Sequence, residues 1–183
     1  CTGGTYQPSS GQTSCLDADA GYYVGSTGAS AQTPCSLGTY QPYTGQASCI
    51  SASAGHYVDT TASANQTACA AGTYQPNTGQ SSCIDASAGY YVASTASTGQ
   101  TPCAAGTYQP NTGQSSCLDA PAGTYVDTTG ATSSTDCPVG TYQPNTGQSS
   151  CIDAGAGYFV DETGSTNQTA CDLGTFQNQT GQL

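Results

Sequence analysis

The 183-residue chain contains no Lys, Arg, Met or Trp, and eleven Asp and Glu against one His give a formal net charge of −11 and a pI near 4.1. Charged residues make up 6% of the chain, against about 25% in a typical soluble domain, so the acidity is a lack of cations and not a halophile-style acidic coat. With no cation to neutralise phosphate, nucleic acid and anionic membrane surfaces are poor partners, and no apolar run approaches the ~18 residues of a membrane span.

Cysteines at 1, 15, 35, 49, 69, 83, 103, 117, 137, 151 and 171 set gaps that alternate 14 and 20, so the repeat unit is 34 residues. The copies run 1–34, 35–68, 69–102, 103–136 and 137–170, and 171–183 begins a sixth. Each full copy opens on a half of the form C-x-x-G-T-Y-Q-P-x-T-G-Q-x-S-C, nearly unchanged from copy to copy. Within it, Gly-Thr-Tyr-Gln predicts a short extended piece, and Gln-Pro-Asn-Thr-Gly, as at 75–79, predicts a turn in which Pro fixes φ and Gly takes a positive one. The second half typically reads C-I/L-D-A-x-A-G-Y-Y-V, a second extended piece, followed by a Ser/Thr/Ala/Gly-rich stretch up to the next Cys. The halves resemble each other: both place Gly and an aromatic after their first Cys, and most end near Gln-Thr/Ser-x-Cys.

A 34-residue period also belongs to the tetratricopeptide repeat, but no copy has apolar residues at helical spacing, and Gly, Pro and Thr interrupt each one. The expected fold is therefore a small disulfide-rich repeat protein, an elongated tandem array of short β-strands and turns without helices. First-half aromatics recur as Tyr6, Tyr40, Tyr74, Tyr108, Tyr142 and Phe176, and second-half aromatics as Tyr23, Tyr57, Tyr91, Tyr125 and Phe159. The rings are expected to stack on disulfides and on the next copy's ring. Leu16, Ile50, Ile84, Leu118 and Ile152, with Val24, Val58, Val92, Val126 and Val160, are expected to complete a small cluster in each copy. Such clusters are too small to order 34 residues alone, so the cysteines decide whether the chain folds.

Two regular pairings fit the residues: short loops (1–15, 35–49 and onward) or long ones (15–35, 49–69 and onward). Loop-closure entropy separates them by only about 0.3 kcal/mol, and each scheme leaves one cysteine over. The short half, C-x-x-G-x-Y-x8-C, resembles the single-disulfide module of the tumour-necrosis-factor receptor cysteine-rich repeat and the related ephrin-receptor-like cysteine-rich repeat. That resemblance covers the whole chain. It implies the pairs Cys1–Cys15, Cys35–Cys49, Cys69–Cys83, Cys103–Cys117 and Cys137–Cys151, with Cys171 unpaired in this window. The chain lacks the closely spaced cysteine pairs of those modules, so the resemblance implies their architecture and not receptor function. Zinc is disfavoured, because no C-x2–4-C pair occurs and the one His stands alone.

His56 occupies the phase of Tyr22, Tyr90, Thr124 and Tyr158 and reads as a tolerated substitution with no catalytic role. No nucleophile–base pair is evident, since His56 alone could serve a Ser or Cys as base, and an array of beads offers no cleft for a pair of glycosidase carboxylates. No enzymatic activity is expected. Asp17, Asp85, Asp119 and Asp153 share one phase, with Ser51 in the second copy, and Asp59, Asp127 and Asp161 share another. They read as turn caps; calcium between repeats is the sharper alternative, although no EF-hand or G-G-x-G-x-D pattern is present. Sequons at Asn65, Asn167 and Asn178 predict N-glycans, and stretches such as 92–101 and 126–135 suit O-glycans. No other cofactor is expected.

These readings converge on an extracellular or cell-surface structural protein, a glycosylated, stapled rod serving as stalk, surface fibre or filament subunit. Its partners would be copies of itself or neighbouring repeats of a longer chain, of which this sequence is a window. The alternative is an adhesin or receptor-like ectodomain that reads a protein or glycan ligand through its Tyr and Asp rows.

Overall fold

The computed structural model describes residues 1–172 and 179–181. Twenty two-residue strands form ten antiparallel hairpins, and the described residues contain no helix, hence none long and apolar enough to cross a membrane. The first hairpin pairs β1 (Thr5–Tyr6) with β2 (Leu16–Asp17), Tyr6 lying opposite Leu16. The second pairs β3 (Tyr22–Tyr23) with β4 (Thr33–Pro34), Tyr23 lying opposite Thr33. Both hairpins have one register, and their equivalent residues (Gly4 and Gly21, Tyr6 and Tyr23) are 17 apart. Each 34-residue repeat is thus two similar turns, one closed by a disulfide and one not. We call them the cystine turn and the glutamine turn.

The half-cystine that opens a cystine turn and the alanine that opens a glutamine turn occupy equivalent buried positions: Ala18, Cys35, Ala52 and Cys69 are all 0% exposed. At the other end of the turn, the second half-cystine is replaced by Gln. The Asp19 N–H donates to Gln32 Oε1 at 2.7 Å, and Ser53 with Gln66, Ser87 with Gln100 and Gly155 with Gln168 repeat that bond at the same length. The remaining glutamine turn has Pro121 at the donor position, which carries no N–H, and Ser134 in place of Gln. A side-chain hydrogen bond therefore does in one turn what a covalent bridge does in the next. On this basis Ala52→Cys/Gln66→Cys is expected to form an additional disulfide and to raise stability by about 3 kcal/mol, read as a shifted urea midpoint with no gain in free thiols.

The chain divides into two compact units, Cys1–Asp85 with Ser94–Gly99 and Ala86–Ala93 with Gln100–Leu183. Within the first unit, consecutive turns are tied by four backbone bonds: Gly4 N–H to Val24 C=O at 2.7 Å, Gln7 N–H to Ala29 C=O at 3.0 Å, Ala18 N–H to Gly4 C=O at 2.9 Å, and Gly28 N–H to Cys1 C=O at 2.9 Å. The second unit repeats them as Gly106 to Val126, Gln109 to Ala131, Ala120 to Gly106 and Gly130 to Cys103, at 2.7–3.0 Å. Bonds this short put backbone against backbone. A Cβ on Gly38 (φ +78) would sit 2.1 Å from the Gly79 carbonyl oxygen, so only glycine fits there.

Close approach also decides the core. Besides the close-approach glycines, the interior slots hold Ala, half-cystine, Val and, unexpectedly, Gln: Val24 is 2% exposed and Gln41 3%. The buried Gln is bonded at both ends of its amide, since Gln75 Nε2 donates to the Ser82 carbonyl at 2.9 Å and its Oε1 accepts the Asn77 N–H at 3.1 Å. The expectation that Leu16, Ile50, Ile84, Leu118 and Ile152 join the interior is corrected: they lie on the outer hairpin strand at 42–48% exposure. Turns tied this closely leave no room between them for a larger aliphatic side chain.

Candidate binding grooves

The sequence-predicted cysteines come together in five bridges: Cys1–Cys15, Cys35–Cys49, Cys69–Cys83, Cys103–Cys117 and Cys137–Cys151, with Cα separations of 5.5–5.8 Å. Cys171 is free and half-buried. Every described aromatic of the two ladders is half-buried, fixed in its hairpin by cross-strand pairing: Tyr40 against Ile50, Tyr57 against Thr67, Tyr125 against Thr135. Phe176 and Asn178 lie outside the described residues. Asn65 and Asn167 are exposed, as N-glycan acceptors must be.

The Asp rows do not converge. Asp17, Asp59, Asp85, Asp119, Asp127, Asp153 and Asp161 are all exposed, and among the described residues no three His, Cys, Asp or Glu side chains gather around one point. Asp17, Asp119 and Asp153 instead lean over the glycine of a later turn, with Oδ1 3.5–3.6 Å from where a Cβ on Gly45, Gly147 or Gly181 would stand. His56 is half-buried opposite Ala68, with Nδ1 3.3 Å from the Ala54 carbonyl oxygen.

What does recur as a concave site is an open groove between a glutamine turn and the cystine turn that follows it. In the first unit one groove of about 580 Å³ has Tyr57 and Thr67 on one wall and Thr73, Ser82 and Cys83 on the other. A second, of about 410 Å³, places Tyr23 and Thr33 against Thr39, Ser48 and Cys49. The second unit builds the same groove, of about 470 Å³, from Tyr91, Thr101, Thr107, Ser116 and Cys117. The ring comes from one turn and the half-cystine from the next, so sequence reading of a single repeat does not reveal the site.

The far wall is locked in place. Thr39, Thr73 and Thr107 donate their hydroxyls to the Ser36, Ala70 and Ala104 carbonyls at 2.8–2.9 Å. The carbonyls of Ser48, Ser82 and Ser116 are held by Gln41, Gln75 and Gln109, at 2.8–2.9 Å. Each groove therefore offers a fixed Tyr, several hydroxyl oxygens and no cation. One carboxylate, Asp59, appears in one groove only.

A family model described as tyrosine-protein kinase ephrin type A/B receptor-like matches residues 21–69, 89–137 and 135–171, most of the chain. The chain belongs to the ephrin-receptor-like family. A comparison with curated proteins found no match. Two of the ephrin-receptor-like matches begin on the glycine of a glutamine turn, Gly21 and Gly89, and end on a buried half-cystine, Cys69 and Cys137. Disulfide-dense repeats of this kind are typical of extracellular domains.

Proposed function

We propose that this chain is part of an extracellular, receptor-like ectodomain whose stapled turns display equivalent grooves to a neutral, repeating glycan. The observation that carries this reading is the groove itself, rebuilt from the same residue types at a 34-residue phase. A Tyr ring supplies an apolar platform, the surrounding Thr and Ser oxygens supply donors and acceptors, and the absence of cations disfavours an acidic ligand. The ephrin-receptor-like family supports a binding ectodomain over a fibre subunit. The role is binding and not catalysis, and it calls on no metal.

Open grooves of this kind bind a single sugar unit weakly, and a polymer that engages several at once gains avidity. Titration of the full chain with neutral polysaccharides (a β-glucan, a mannan and a galactan) is expected to give at least ~10-fold tighter binding for one polymer than for its short oligomer. Tyr23→Ala/Tyr57→Ala/Tyr91→Ala is expected to lower that binding by ~10-fold or more, with thermal unfolding run as the control for folding. No binding to any of the three, or binding that survives the triple substitution, overturns this reading.

The fibre-subunit reading rests on one observation, the near-identity of the copies, which gives no turn a specialised surface. Filaments in electron micrographs of the native material, assembling without ligand, would favour it.

A further inference from the structure

The two kinds of turn have diverged at most positions. Cys49 stands against Gln66, buried Gln41 against Val58, and Pro42 against Asp59. Four features persist in both kinds. The glycine of the close approach, the half-buried aromatic and the positive-φ residue (Gly28 at φ 70, with Ala62 at 57 and Ala96 at 55 in its place) each have a structural cause. The fourth has none: a threonine immediately before the positive-φ residue, from Thr27 to Thr180 at steps of 17, with Ser10 in the first turn.

Every one of these threonines is exposed, and none of their hydroxyls has a hydrogen-bond partner among the described residues. Threonines at another phase behave oppositely. Thr39, Thr73, Thr107, Thr124 and Thr141 are half-buried, and each hydroxyl is spent on the carbonyl three residues back, at 2.7–2.9 Å. The turn threonines also stand outside every strand, where backbone is accessible to a modifying enzyme after folding. A residue type kept at every turn, with no packing or hydrogen-bonding role, points to chemistry at its free hydroxyl.

We propose that these turn threonines, one per turn, are O-glycan acceptors, forming a sugar-bearing row apart from the grooves and their threonines. In the transfer, threonine Oγ attacks the anomeric carbon of a nucleotide- or lipid-phosphate-activated sugar. A glycosidic C–O bond forms, the anomeric C–O bond to phosphate breaks, and the hydroxyl proton passes to a base of the glycosyltransferase. The row would hydrate a surface that carries few charges.

This inference rests on the extracellular placement proposed above, and the test separates the two. Protein purified from the cells that make it is stripped of N-glycans, and its O-linked sugars are mapped by electron-transfer fragmentation, with free thiols counted on the same sample. Sugars on Thr44, Thr78, Thr112 and Thr146, with Thr39, Thr73 and Thr107 bare, are expected, and Thr78→Ala should remove one glycan equivalent while Thr78→Ser retains it. Bare turn threonines in a fully disulfide-bonded chain overturn this inference alone, as does equal modification of the groove threonines. Ten or more free thiols overturn the extracellular placement, and the acceptor row with it.

Discussion

Complete reduction is expected to unfold this chain at room temperature without added denaturant. Each bridge closes a loop of separation 14 and contributes about 3 kcal/mol by limiting the unfolded state. Nothing else among the described residues replaces that contribution, because their interior consists of Gly, Ala, half-cystine, Val and Gln. Among the described residues the Leu, Ile and aromatic side chains, which each give about 2 kcal/mol when fully buried, are exposed or half-buried. The expected result is loss of protection from hydrogen exchange along the turn-to-turn bonds when a reductant is added, and its recovery on reoxidation. Retention of native exchange rates with all thiols free would show that the glutamine turns and their Gln–backbone bonds suffice.

The second large effect concerns backbone contact. Gly38→Ala is expected to destabilise the first unit by about 4 kcal/mol or more, since its Cβ would lie 2.1 Å from the carbonyl oxygen of Gly79, whose own N–H is tied to the Ala52 carbonyl at 2.7 Å. Gly28→Ala is the matched control. Its φ of +70 is similar, but no atom lies within 4 Å of the new Cβ, and sister turns already carry Ala62 and Ala96 at that position. The control is expected to cost about 1 kcal/mol, the strain of a left-handed alanine alone. Equal destabilisation of the two variants in urea melts would mean that the turns do not touch as described.

Much of the fold is legible in the amino-acid sequence. The alternating gaps between cysteines announce the 34-residue repeat, the Gln-Pro-x-Thr-Gly segments announce turns, and the absence of helical periodicity excludes helices. The 17-residue turn is only half legible: the two halves resemble each other, but the eye follows cysteine, and Ala18 and Gln32 hold the cysteine positions without looking like them. Gln41, Gln75, Gln109 and Gln143 do not read as core residues, because burial of an amide depends on carbonyls that only the folded turn brings within reach. The exposed positions of Ile50 and Ile84 are hidden for the converse reason, since the spacing between turns is set by backbone bonds that hydrophobicity does not report. The grooves are out of reach of a repeat-by-repeat reading, because each is built across two successive turns.

Disulfide connectivity decides between this fold and its alternative most directly, because the sequence admits two regular pairings and only one closes the turns seen here. The chain offers trypsin no site, so the native protein would be cleaved with pepsin under non-reducing, acidic conditions and its linked peptides sequenced by mass spectrometry. Peptides joining Cys35 to Cys49 and Cys69 to Cys83 are the expected result. Peptides joining Cys49 to Cys69 and Cys83 to Cys103 would contradict it, and with it both kinds of turn and the grooves between them.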